Sequence, residues 1–334
     1  MSLQFYMGES GSGKSTELYK EVNKWAAAEP DRNFLFLVPD QYTMFSQIQL
    51  VRNSQSGGIM NVDVLSFQRL AHRVFEETGF MTGRSVLDDT GKSLILRAVA
   101  SSVRDEMPFL GANLDKTGFI HEIKSVISEF KQYDIPPEGI DRIIESSSGR
   151  GLLISKLNDI KTIYSAFNEH ISSDFITSEE TMTLLTEAVT HSSIVKDAVV
   201  ILDGFTGFTP VQYRLIQRLM ALTSKVIITI TIDIDSGPYS TPAEQELFYL
   251  SKKTIRDIQK LAQEINVIQL DDVKFSNVYR FSDNPEMAYL QKNIFRYRYS
   301  SYVSASVYAG AFSPSSPSAT SRYSNHVSYT SGSQ

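Results

Sequence analysis

The sequence predicts an α/β protein in which a parallel sheet is interrupted by a helical insertion and followed by an irregular tail. Three observations carry that expectation. Short apolar runs alternate with longer amphipathic segments, the pattern of strands covered by helices on both faces. Between about Arg84 and Ser193 the alternation stops and helix follows helix, as in GFIHEIKSVISEFKQY, with apolar residues three and four apart. From Tyr299 to Gln334 there are thirteen serines, one arginine and no lysine, aspartate or glutamate. Its few apolar residues cannot offset the entropy of ordering it.

The strands are expected at Leu3 to Met7, Phe34 to Val38, Val62 to Leu65, Ala198 to Leu202 and Val226 to Ile232. Each is rich in β-branched or aromatic residues and bounded by Gly, Pro, Asp or Ser, as buried parallel strands are. No strand is expected inside the helical stretch. The expected organisation is a sheet domain from residues 1–83 and 194–297, a helical insertion over 84–193, and a disordered tail over 298–334.

Composition excludes several classes. The chain has 334 residues, no cysteine, and 32 basic against 38 acidic side chains, a formal net charge of −6. Without thiols there is no disulfide scaffold, Cys-ligated zinc or iron-sulfur centre, or cysteine nucleophile within it. The acidic balance argues against gripping nucleic acid by bulk electrostatics and leaves a local basic groove. No stretch of 18 apolar residues and no signal-like N-terminus appear, so a cytoplasmic location is expected.

Directly after the first strand comes GESGSGKS, which matches G-x-x-x-x-G-K-[ST] and runs into a helical pattern. In such a loop Gly8, Glu9, Ser10, Gly11, Ser12 and Gly13 turn backbone N–H groups toward phosphate oxygens at a helix N-terminus. Lys14 would reach the β and γ phosphates of ATP, and the Ser15 hydroxyl would ligate Mg²⁺. The bland reading is a glycine turn before an amphipathic helix. A second acid is expected at the end of an apolar strand, and AVVILD supplies Asp203 for the Mg²⁺ shell. The next position, where a hydrolytic motor carries a general-base Glu, is Gly204, so binding is supported more strongly than hydrolysis. About 190 residues separate Lys14 from Asp203, more than a compact nucleoside kinase needs.

Taken in order, GESGSGKS, LVPDQ (Leu37 to Gln41), VLSFQRLAHRVF (Val64 to Phe75) and ILDGFTGFTPVQYRLIQRLM (Ile201 to Met220) resemble the successive motifs of superfamily 1 helicases. With SEFKQY (Ser128 to Tyr133), they are more closely similar to the AddB (RexB) family of the AddAB helicase-nucleases, over about residues 1–297. The resemblance implies a RecA-like P-loop sheet with a 1B-like helical insertion. It also implies an AddA-type partner in a heterodimer, and DNA ends processed for recombinational repair of double-strand breaks. Asp40, Gln41, Ser66, Phe67 and Arg69 would then face single-stranded DNA. By their own chemistry Phe67 reads more readily as core than as a stacking platform, Arg69 as a solvated helix face, and Asp40 and Gln41 as ordinary loop residues.

Departures from the family pattern matter as much. The acidic, Gln and Asp positions after Asp203 hold Gly204, Thr206 and Gly207, and ITIDID lacks the Gly-Asp and downstream Gln that sense a γ phosphate. Family members are roughly three times longer, with a second motor domain and a nuclease domain secured by a cysteine-ligated iron-sulfur cluster; with no cysteine, that cluster is not possible in this chain. The expectation is a truncated N-terminal part of such a protein. Its tail is either out-of-frame translation or a natural flexible extension. Two further readings stay open, a non-hydrolysing nucleotide- and DNA-binding remnant and a small-molecule P-loop kinase.

Overall fold

The computed structural model describes residues 1–54, 57–58, 60–80, 84–116, 118–171 and 175–295. The tail expected over 298–334 lies outside the described residues. The chain divides into a unit from Met1 to Arg280 and a second from Phe281 onward.

In the first unit, β1 (Ser2–Gly8), α1 (Lys14–Ala28), β2 (Phe34–Leu37), a 3₁₀ turn (Asp40–Tyr42), α2 (Thr43–Arg52), β3 (Val62–Leu65) and α3 (Phe67–Thr78) come first. The helical stretch holds β4 (Ser85–Val86), α4 (Asp89–Ser102), α5 (Phe119–Gln132), α6 (Ile140–Ser146), α7 (Gly151–Ile171), β5 (Phe175–Ile176) and α8 (Ser178–Ala188). The sheet resumes with β6 (Val199–Leu202), α9 (Pro210–Leu222), β7 (Lys225–Thr231), α10 (Tyr249–Glu264), β8 (Ile268–Gln269) and β9 (Val273–Phe275).

The expected α/β class holds. Seven strands form one sheet in the order β3-β2-β6-β7-β1-β8, with β9 also on β1, and every pairing is parallel. The five expected strands are all present. β8 and β9 are additional to them, because runs of two and three residues are too short to leave a period. The expectation that no strand interrupts the helical stretch is corrected for the same reason: β4 and β5 pair in parallel there, two residues each.

Alternation along the strands builds two cores. Leu3, Phe5 and Met7 of β1, Leu35 and Leu37 of β2, and Val200 and Leu202 of β6 face one side, under α3, α8, α9 and α10. Tyr6, Phe34, Phe36, Val199 and Ile201 face the other, against α1 and Leu50 of α2. A third cluster, with Leu96, Ile123, Ile140, Ile163 and Phe167, lies wholly within the helical stretch. Helix α8 belongs to that stretch in sequence, yet Met182, Leu185 and Ala188 pack in the sheet core.

Helix starts follow local chemistry. Thr177 with Glu180 and Thr209 with Gln212 form capping boxes at α8 and α9, and Pro210 sits in the first turn of α9, where a missing N–H costs nothing. In the second unit, α11 (Pro285–Asn293) starts at Asn284, whose side chain accepts a 3.0 Å bond from the Met287 N–H.

Candidate functional site

At the carboxyl end of β1 the chain turns through Gly8 to Gly13 into α1. Gly11 and Gly13 adopt φ of 82° and 86°, left-handed conformations that residues with a Cβ rarely take. A Cβ on Gly11 would lie 2.5 Å from Arg280 Cβ, so this loop requires glycine for space as well as for φ. Lys14 opens the helix and is 8% exposed. Its Nζ donates to the carbonyl oxygens of Gly8 and Glu9, both at 2.8 Å, which folds it across the loop. Burial lowers its pKa to about 8, with Asp203 opposing the shift and Arg280 adding to it.

β6 delivers Asp203 to the same place. Ser15 Oγ donates to Asp203 Oδ1 at 3.0 Å across 188 residues of sequence, and Thr229 Oγ1 of β7 donates to the same oxygen at 2.6 Å. Burial pushes the Asp203 carboxyl above its ordinary pKa, while the Thr229 and Ser15 hydroxyls, Lys14 and the Gly204 N–H favour the ionised form. The sheet order sets this convergence, because a single strand, β7, separates β1 from β6 and itself contributes Thr229.

Among the described residues no group of three or more His, Cys, Asp or Glu side chains could hold a metal. One buried carboxylate beside a serine hydroxyl is instead an all-oxygen partial shell, a donor set that fits a hard cation such as Mg²⁺. Among the described residues the buried Ser12 hydroxyl has no hydrogen-bond partner, so a donor or acceptor stands unused inside the loop.

Three contributors escape sequence reasoning. Thr229 is hidden in an apolar strand, where one buried threonine is a faint signal. Tyr279 and Arg280 close over the loop: their backbone N–H groups donate to Gly11 O at 2.9 and 3.3 Å, and Arg280 Nη1 donates to Ser10 Oγ at 3.0 Å. Only the packing of the segment after β9 brings them there, and no spacing in the sequence encodes it.

The five residues expected beside DNA separate into different environments. Asp40 and Gln41 are exposed on the 3₁₀ turn after β2. Ser66 is buried as the N-cap of α3, accepting from the Arg69 N–H at 3.3 Å. Arg69 is exposed and lines a groove of about 550 Å³ with Asp40, Gln68, His72, Arg73 and Glu76. Phe67 is 6% exposed and packs against Phe205 and Phe208 at centroid distances of 5.3 and 6.5 Å. Its ring is spent in the core and offers no open face for stacking on a base.

A family model described as "ADDB, N-terminal" matches residues 5–291. The chain is 44% identical over 307 residues to a protein of Lachnoclostridium phytofermentans, covering 90% of this chain and 27% of that one. That relative is named as the B-type subunit of an ATP-dependent helicase/deoxyribonuclease. Proteins of the same name from Clostridium kluyveri and Geobacillus thermodenitrificans are 31% and 32% identical, covering 90% and 89% of this chain and 26% of each relative. The chain thus spans about a quarter of the length of these relatives.

Proposed function

The chain belongs to the family of AddB N-terminal domains, and on that premise we propose that it is the ATP- and DNA-binding part of a helicase-nuclease acting on DNA ends in recombinational repair. The observation that carries the nucleotide reading is the meeting of Lys14, Ser15 and Asp203 from two strands that are not neighbours. In this reading the N–H groups of residues 8–15 and the N-terminus of α1 hold the phosphates. Lys14 leaves the Gly8 and Glu9 carbonyls for a phosphate oxygen, and Arg280 adds a second cation beside Ser10. Ser15 and Asp203 hold Mg²⁺, which supplies charge neutralisation between the phosphates.

The DNA track in this reading keeps Asp40, Gln41 and Arg69 at the surface, with Ser66 and Phe67 shaping the turn beneath them. The helical stretch 84–193 is the 1B-like insertion, tied to the sheet through α8. The larger activity would need the AddA-type partner and the rest of a full-length AddB-type protein.

Holding nucleotide without hydrolysing it is favoured over an active motor by Gly204. Its φ of 78° is left-handed, so the position after Asp203 is built around a glycine and carries no general base. The test is ATP turnover with and without single-stranded DNA. Binding with no DNA-stimulated phosphate release is expected; DNA-stimulated turnover would establish the motor, and phosphoryl transfer to a small acceptor would overturn both readings.

A further inference from the structure

The 3₁₀ turn that exposes Asp40 and Gln41 ends in Tyr42, which turns back toward β6. A Cβ at Gly204 would stand 3.8 Å from Tyr42 Cδ2 and 3.7 Å from Pro39 Cδ, so both rings border the residue after Asp203. The backbone there is fixed: the Tyr42 N–H donates to Pro39 O at 2.9 Å, and the buried Thr43 hydroxyl donates to Asp40 O at 3.0 Å. The ring itself is 47% exposed, and among the described residues its hydroxyl has no hydrogen-bond partner. A half-exposed tyrosine on a rigid turn, beside a buried acid and with its hydroxyl unused, is placed to meet a ligand and contributes little to the core.

We propose that Tyr42 is a specificity-determining residue of the nucleotide site, its hydroxyl donating to the terminal phosphate of a nucleoside triphosphate while its ring shields that phosphate from water. This rests on the reading of Gly8 to Ser15 and Asp203 as a nucleotide site. The loop N–H groups engage phosphates common to ATP and ADP and Lys14 spans the second and third, whereas Tyr42, bordering Gly204 on the Asp203 side of the loop, engages only the third. Gly204, at the position where a motor would hold its base, has no side chain to stand between the ring and the site.

The experiment measures Mg²⁺-dependent affinities of ATP and ADP for the wild type, Tyr42→Phe and Tyr42→Ala. Loss of a hydrogen bond to a charged acceptor should weaken ATP by about 10-fold in Tyr42→Phe and more in Tyr42→Ala, with ADP changed by less than about twofold. Weakening of ATP and ADP by the same factor, or of neither, overturns the proposal. Tyr42→Phe keeps the ring and its packing, so its result stands even if Tyr42→Ala fails to fold. A wild type that binds neither nucleotide refutes the underlying site reading, an outcome distinct from unselective binding.

Discussion

Replacing Gly204 by alanine tests whether the residue after Asp203 is a backbone requirement or simply a lost side chain. The added Cβ meets nothing closer than Pro39 Cδ at 3.7 Å, ordinary contact, so sterics against neighbours add no penalty. The cost comes from φ of 78°, which for an L-residue is about 1–2 kcal/mol, offset in part by about 0.4–1 kcal/mol of lost unfolded-state freedom. A net destabilisation of about 1 kcal/mol is expected. Gly207, three residues on, has no left-handed φ and its nearest neighbour, Thr254 Oγ1, is 3.7 Å away, so Gly207→Ala should be neutral or slightly stabilising. Urea unfolding of the two variants gives the comparison through their midpoints at a common slope. Equal stability of Gly204→Ala and Gly207→Ala would show that the left-handed φ at Gly204 carries no cost. By the same left-handed φ, Gly204→Glu should lose stability.

Asp203→Asn preserves shape and removes the carboxylate bonded to Ser15, so Mg²⁺ should cease to tighten nucleotide binding, a loss of about 10-fold or more in titrations with and without the ion. Glu77, at the end of α3, accepts from Ser193 N–H at 2.7 Å and Ile194 N–H at 3.3 Å, and from the Ser192 and Ser193 hydroxyls. Desolvation alone would raise its pKa, but these hydrogen bonds hold it below the ordinary value. Its contribution is therefore complete above the unfolded-state pKa of about 4.3 and disappears as pH falls through the lower folded value. Glu77→Gln should cost about 1 kcal/mol at neutral pH, after allowing for its exposure, and flatten that acid limb in denaturation curves. In the helical stretch, Lys92 Nζ donates to both Glu179 oxygens at 2.9 Å with both side chains buried. Glu179→Gln leaves the buried lysine charge without its carboxylate, keeping only neutral partners such as the Ser128 hydroxyl at 3.1 Å, and should cost about 3 kcal/mol by thermal or urea unfolding.

The five long strands and the loop from Gly8 to Ser15 are legible in the sequence because their signals are local. An apolar run ending in Asp203, or a glycine pattern between a strand and a helix, needs no partner to be recognised. Lys14, Ser15 and Asp203 can even be paired in advance, since a phosphate loop demands an acid. What stays hidden is set by packing between distant segments. Thr229 reaches Asp203 only because β7 inserts between β1 and β6. Arg280 reaches Ser10 only because the chain crosses the loop after β9. Phe67 shows the converse: its motif suggests a surface role, but an aromatic residue in the first turn of a helix packed under Phe205 is drawn inward by burial. Strands of two or three residues, as in β4, β5, β8 and β9, carry too little pattern to be seen at all.

Binding of a nucleoside triphosphate by the Gly8 to Ser15 loop through Lys14 underlies every functional reading of this chain. Equilibrium binding of ATP with Mg²⁺ to the wild type and to Lys14→Ala tests it most directly. Saturable binding by the wild type is expected to fall by at least about 100-fold in a folded Lys14→Ala variant, because a buried cation paired with phosphate is removed. Equal affinity in the two proteins would contradict it.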